Sequence, residues 1–330
     1  MRKRSVLLVA GTCLAALSLT VGSAVADPVP PGDRPLAGVG SDTTQDVMNG
    51  FGNGTSFSVP PFGGIKDGSG NFIVASFDAT GSATITTHNT PACTNIPRPA
   101  GSGNGVTALH NDDVAGTNCI QFARSSNDDS QSRPGQNLTY IPFAQDGLTF
   151  ATLSVTNVPK SLTLAQLTTI YSRNTAQGCI RQPLIPHVGS GTRAAWLKFL
   201  NLTEATLGNC VKDVINGQPI EEHDGRVLTN PDQLVPYGVG QWVTQTTQPA
   251  VPDRHGNSVL RAINNISPFD PSLPTTRKLF NVIRTGDIGV APFNTTFVGA
   301  GSAICSHPEV IKAYGFTPIP DCGSTAIHTP

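Results

Sequence analysis

The sequence predicts an α/β protein, and three observations carry that prediction. Strand-like segments alternate with helical patterns along most of the chain, which is how α/β domains are written. Gly-rich turns carrying hydroxyl residues open helices at Gly38 to Thr44, Gly101 to Thr107 and Gly189 to Arg193. The 330 residues supply one large or two medium domains, and no repeat at solenoid or propeller spacing competes with that reading.

The elements follow in chain order. Arg2, Lys3 and Arg4 precede an apolar run, Val6 to Val21, that ends at Ala24-Val25-Ala26. This is an export signal, with Asp27 expected as the first mature residue. The run is short for a membrane anchor. Thr12 stands where a lipobox wants a smaller residue before Cys13, so ordinary cleavage is expected over lipidation. Residues 27–34 read as a Pro-rich tail. Residues 36–51 read as strand, Gly turn and helix, with Ser41 or Asp42 as cap and Val47, Met48 and Phe51 on one face. Residues 52–72 are a Gly- and Pro-rich loop, 72–79 a strand, and the turn at Gly101 opens a second helix. Residues 119–126 read as a strand ending in a polar turn. Residues 138–153 read as two strands around a bend at Gly147. Thr163 caps a helix whose apolar stripe is Leu164, Leu167, Ile170 and Tyr171. Residues 181–188 read as a strand feeding Gly189-Ser190-Gly191-Thr192 and a helix bearing Trp196, Leu197, Phe199 and Leu200. A strand and helix start are expected over 233–245, strands over 276–283 and 288–294, and a helix over 307–316.

Charged residues make up 13% of the chain and the net charge is -1. That gives no electrostatic reason to expect nucleic acid or an anionic membrane as partner. Removing the signal leaves 18 basic against 22 acidic side chains. Six cysteines remain beyond it, an even number in an exported chain, and they read as disulfides. Of fifteen pairings, the sequential one is simplest: Cys93–Cys119, Cys179–Cys210 and Cys305–Cys322 each close a local loop. No C-x-x-C spacing supports zinc instead.

Helix N-termini present unpaired N–H groups and partial positive charge, so they bind anions without Lys or Arg. A single Gly-Ser turn before a helix is ordinarily just a cap; three with hydroxyls point to one shared oxyanion site. The signals of catalysis are missing. Neither a G-x-S-x-G elbow nor a P-loop occurs. His187 has no assignable nucleophile partner and reads as a surface or supporting residue. Asp112-Asp113 and Asp128-Asp129 read as solvated loops rather than calcium ligands.

The order of these segments resembles the phosphate-binding protein of bacterial phosphate ABC transporters, within the type 2 periplasmic binding-protein superfamily. The similarity rests on "LAGVGSDTTQDVMNGF", "GSGNGV", "IQFARSSND", "IPFAQDGLTFAT", "LTLAQLTTIYS", "GSGTRAAWLKFL" and "VPYGVGQWV", from about residue 36 to 320. The resemblance implies a two-lobed α/β fold with a ligand cleft between lobes. Lobe one would be 35–145 plus 276–330, and lobe two 146–275. It also implies capture of phosphate or a related oxyanion for an ABC permease, by a monomer that performs no chemistry and needs no cofactor or metal.

In that family backbone and hydroxyl donors surround the anion, an Arg pairs with it, and an Asp accepts the phosphate proton, which fully ionised sulfate lacks. Carried over, the donors are Ser41, Thr43, Ser102, Ser190, Gly191 and Thr192. Ser126 falls where the family has its Asp. Pro186 falls where it has its Arg, and Val188 replaces the Asp of its DGSGT motif. Asp42 is the expected substitute acceptor, and Arg124 or Arg193 the expected guanidinium. The alternative is a secreted binding-fold protein uncoupled from transport, serving scavenging, sensing or adhesion with another ligand.

Overall fold

The computed structural model describes residues 27–28 and 33–330; the export signal lies outside the described residues. Strand β1 (Leu36–Gly40) is buried along its whole length. It runs through a turn into α1 (Gln45–Asn53), whose Val47, Met48 and Phe51 are fully buried. The residue before the helix is Thr44, whose side chain makes no cap bond, and neither Ser41 nor Asp42 holds the cap position. A turn closed by Gln45 N–H on the Asp42 carbonyl (3.2 Å) keeps those two residues outside it. β2 (Val74–Ser76) pairs parallel to β1 on one side. After α2 (Ser102–Ala115), β3 (Phe122–Ser125) pairs parallel to β1 on the other.

The element that organises the molecule is β4 (Leu138–Leu153), a single 16-residue strand. It is followed by α3 (Leu164–Ser172), β5 (Gln182–Pro183), α4 (Gly191–Phe199), β6 (Gln233–Gly238), α5 (Val239–Thr247), β7 (Ser258–Ile263) and β8 (Thr276–Arg284). The main sheet order is β2-β1-β3-β8-β4-β6-β5. The first part of β4 pairs antiparallel with β8, from Leu138 opposite Arg284 to Gly147 opposite Thr276. Its second part pairs antiparallel with β6 and β7. One strand therefore belongs to both halves of the fold.

The expected bend at Gly147 does not exist. Its backbone is extended, and a Cβ there would sit tightly, 3.1 Å from side-chain atoms of both Leu273 and Val239. The expected strand over 288–294 is also absent. A 3-10 turn (Thr285–Asp287) and a short helix, α6 (Phe293–Phe297), take its place. Local bonds from Val290 N–H to Asp287 and from Asn294 N–H to Val290 (3.0 Å each) satisfy this backbone, and Pro292 has no N–H for a ladder. The final helix, α7 (Pro308–Ala313), lies within the expected segment. α3 starts at a reciprocal capping box, with Gln166 N–H on Thr163 Oγ1 (3.1 Å) and Thr163 N–H on Gln166 Oε1 (2.8 Å).

One apolar core draws on residues between Leu148 and Leu273. In it the fully buried Trp196 meets Tyr171 edge-on at 5.7 Å, a contact worth about 0.5–1.5 kcal/mol beyond area burial. Two further clusters draw on residues up to Ala144 and from Leu279 onward, with Val251 added to one of them. The molecule is thus two-lobed, each lobe with its own core.

Disulfides join Cys93–Cys119, Cys179–Cys210 and Cys305–Cys322, closing local loops of 26, 31 and 17 residues' separation. Asp112 departs from its reading as a solvated residue. It is buried at the end of α2, where it accepts from Cys119 N–H (2.8 Å) and pairs with Arg284 (2.6 Å).

Candidate functional site

The three Gly-rich turns converge between the lobes. Thr43 comes from the β1–α1 turn, Ser102 from the first residue of α2, Ser126 from the end of β3, and Ser190 to Thr192 from the start of α4. All are buried. Ser126 N–H donates to Ser102 Oγ (3.0 Å), and their hydroxyls lie 3.3 Å apart. A Cβ on Gly191 would fall 2.2 Å from Ser102 Oγ and 2.4 Å from Ser126 Oγ, so the backbone of α4 in one lobe rests directly on hydroxyls of the other. Gly103 N–H donates to the Gly189 carbonyl (3.0 Å) across the same contact. Ser190 caps α4 by accepting from Arg193 N–H (3.0 Å).

At the centre of this donor set lies a carboxylate of the chain itself. Glu222 Oε2 accepts from Thr43 Oγ1 (3.0 Å) and Thr192 Oγ1 (3.1 Å), and Oε1 accepts from Thr192 N–H (3.3 Å). Arg277, at the start of β8, donates to Thr192 Oγ1 (3.1 Å) and Thr43 Oγ1 (3.2 Å). Its guanidinium also pairs with Asp146 of β4 (3.1 Å). Asp146 Oδ1 accepts Gly240 N–H (3.0 Å) from the first turn of α5. Only glycine fits at Gly238 beside it: a Cβ would lie 2.7 Å from Asp146 Oδ2 and 2.8 Å from the His223 ring.

His223 completes the cluster. Gly238 N–H donates to its Nδ1 (3.1 Å), which fixes the neutral ring with its proton on Nε2. Nε2–H lies 2.9 Å from Thr43 Oγ1. The Thr43 hydroxyl therefore accepts from His223 and Arg277 and donates to Glu222, using its full capacity.

Electrostatics sort the titratable groups. Burial drives His223 down to about 3, so the ring is neutral at pH 7. Burial pushes Glu222 upward, but the Arg277 charge and side-chain hydrogen bonds from Ser190 and Asp42 oppose it and hold the carboxylate below its usual range. Burial, reinforced by the Glu222 charge, holds Asp42 well above the usual carboxylate range. That shift favours the neutral carboxyl, whereas the expected proton acceptor is ionised. Burial also raises Asp146, opposed by Arg277.

Asp42, Glu222 and His223 bring one ligand atom each within 4.8 Å of one another, spacing that fits a metal ion. The donor pattern does not fit one. Gly238 N–H holds Nδ1, so Nε2 carries the proton, and Arg277 already supplies positive charge against Thr43 and Thr192.

Eight of the ten sequence-predicted residues sit in or beside this cluster: Ser41, Asp42, Thr43, Ser102, Ser126, Ser190, Gly191 and Thr192. Arg124 and Arg193 turn elsewhere. The buried Arg124 guanidinium donates to the carbonyls of Ser41, Gly38, Gly40 and Phe77 and to Ser76 Oγ, holding β1 and the turn after it. Arg193 pairs with Glu204 (2.6 Å) and Asp213 (3.0 Å) and donates to the Pro186 carbonyl.

The sequence reading missed Arg277, Asp146, Glu222 and His223. One signal was available for Asp146, a carboxylate within a 16-residue strand that is otherwise largely apolar. Glu222 and His223 sit in "EEHD", a charge run of the kind that is ordinarily solvated.

A family model described as a PBP superfamily domain matches residues 69–251, more than half of the chain. The chain belongs to the PBP superfamily. Two solved structures of similar fold are a phosphate ABC transporter substrate-binding protein of Clostridium perfringens with bound phosphate and an ABC-type phosphate transport receptor from Vibrio cholerae. The first is 14% identical with a TM-score of 0.54, over 86% of this chain and 99% of that one. The second is 14% identical with a TM-score of 0.51, over 86% of this chain and 100% of that one. No curated protein sequence matches. At this identity the likeness to the solved structures is one of fold.

Proposed function

We propose that this PBP superfamily member is an exported solute-binding protein that captures phosphate or a related oxyanion between its lobes for an ABC permease. One observation carries the reading. The hydroxyls of Thr43 and Thr192 and the Thr192 N–H in the first turn of α4 converge from both lobes on a carboxylate held out of water, and the Arg277 guanidinium donates to both hydroxyls. That donor set is what an oxyanion needs, and it performs no covalent chemistry. The two solved neighbours are described as phosphate transport proteins, which supports the same ligand class. Three disulfides suit an exported chain. The lobes divide at 145/146 and 275/276, where β4 and the segment before β8 pass from one core to the other. Leu148 N–H on the Thr275 carbonyl (2.7 Å) ties the two crossings together.

Burial and the Glu222 charge disfavour an ionised Asp42, which weakens repulsion of sulfate. We expect phosphate and sulfate to bind within about tenfold of each other, about 1.4 kcal/mol. The test is calorimetric titration of the purified protein, first unfolded and refolded to strip bound ions. Phosphate binding in the micromolar range, lost in Thr192→Val, supports the reading. No heat with phosphate or sulfate refutes it. Sulfate a hundredfold weaker than phosphate would return Asp42 to the acceptor role.

A further inference from the structure

Glu222 is held in the cluster by more than its own hydrogen bonds. It lies in the loop before the 3-10 turn Gly225–Val227, and His223 beside it adopts a left-handed backbone (φ 52°). A non-glycine residue keeps that conformation only when its surroundings fix it. Three bonds do so here. Tyr237 Oη and Gln245 Nε2 donate to the His223 carbonyl (2.7 and 3.1 Å), and Gly238 N–H holds the ring. The loop thus directs consecutive carboxylates to opposite sides. Glu221 turns outward to His187 (3.4 Å), while the Glu222 side chain is 1% exposed.

The partners of Glu222 come from both lobes. Thr192 lies on the same side of the lobe division, and Thr43 lies on the other. A carboxylate presents two oxygens about as far apart as an edge of phosphate or sulfate, and it takes the same donors. Its hold on Thr43 is a direct link between lobes, and it uses donors that an incoming anion requires.

We propose that Glu222 is an intramolecular ligand of the oxyanion site: its carboxylate latches the lobes together through Thr43, and an external oxyanion binds only by displacing it. This rests on the oxyanion reading above and adds regulation to it. A tethered competitor lowers apparent affinity without blocking the site, because its effective concentration is fixed by the loop rather than by the medium. The protein then responds to oxyanion over a higher concentration range than its donor set alone would set.

The experiment titrates wild type, Glu222→Ala, Glu222→Gln and Glu221→Gln with inorganic phosphate, and Glu222→Ala also with acetate. Glu221→Gln removes the same charge one residue away on the outer side, so it controls for net charge. Glu222→Gln keeps the side-chain volume and carries the test if Glu222→Ala does not unfold cooperatively. Expected are phosphate affinities at least tenfold tighter in Glu222→Ala, intermediate in Glu222→Gln, and within twofold of wild type in Glu221→Gln. Acetate should bind Glu222→Ala by refilling the carboxylate position. Equal affinities in wild type and Glu222→Ala would overturn the latch and leave the oxyanion reading standing. Weaker binding in Glu222→Ala would also overturn it, making Glu222 a supporting residue instead of a competitor. Absence of phosphate binding in every variant would overturn the latch together with the oxyanion reading.

Discussion

Arg277→Met tests whether one guanidinium is what allows a carboxylate in the strand that joins the lobes. Arg277 and Asp146 are 3.1 Å apart, with side chains 5% and 0% exposed. Without the guanidinium, Asp146 keeps the Gly240 N–H (3.0 Å) but loses its counter-charge. A bare buried carboxylate takes up a proton instead. Holding an aspartate neutral at pH 7, against an unfolded pKa near 3.9, costs about 4 kcal/mol, or about 1.4 kcal/mol for each of roughly three pH units. Breaking a buried pair by removing one partner falls in the same range, roughly 3–5 kcal/mol. The sign is fixed by linkage. The folded pKa lies above the unfolded one, so the penalty is absent below about pH 4 and grows as pH rises. At pH 5 it shrinks to about 1.5 kcal/mol. Glu222 also faces Arg277 and shifts in the same direction. The assay is urea unfolding followed by tryptophan fluorescence, disulfides intact, at pH 5 and 7. It compares wild type, Arg277→Met, Asp146→Asn and the double variant at each pH. Arg277→Met should lose far more stability at pH 7 than at pH 5. Adding Asp146→Asn should recover a large part of the loss at pH 7, since an amide still accepts the Gly240 N–H. A loss equal at both pH values, or a double variant no more stable than Arg277→Met, would refute the reasoning.

Three more predictions follow from the same geometry. The neutral His223 ring, depressed to about 3, contributes stability that is complete above about pH 6.5. That contribution is lost toward pH 3 at about 1.4 kcal/mol per unit. His223→Asn, which tolerates the left-handed backbone, should flatten this part of the urea-midpoint profile. Burial, with the Asp46 charge beside it, lifts Asp78 to about 6, so its ionised form disfavours folding as pH rises from about 4 through 6. Asp78→Asn keeps the Asn49 donor (2.8 Å) and should add about 3 kcal/mol at pH 7.5 and almost nothing at pH 4, checked by urea unfolding. Gly191→Ala places a methyl group against Ser102 and Ser126 across the lobe contact. It should enlarge the radius of gyration in solution scattering and weaken phosphate binding at least tenfold; wild-type affinity would show that the contact yields freely.

The sequence by itself determined what depends on near neighbours in the chain. The Thr163 cap, the Gly-Ser-Gly-Thr helix start, the apolar stripes and the local disulfide loops all join residues a few to some thirty positions apart. Backbone hydrogen bonding and side-chain type settle such features with little outside help. Even the convergence of three Gly-rich turns was legible, because each carries hydroxyls and leads into a helix N-terminus. Only the tertiary structure decided what those turns hold. The Asp146–Arg277 pair spans 131 residues and the Thr43–Glu222 bond spans 179. No local preference of "AQDG", "TRK" or "EEHD" encodes those meetings. Arg124 shows the same limit from the other direction. A long charged side chain can reach a ligand, a carboxylate or a set of backbone carbonyls with equal ease, and its address is set by which acceptors the fold leaves without a donor. For Arg124 those were the carbonyls of β1 and the turn after it, so the charge the site uses had to come from Arg277.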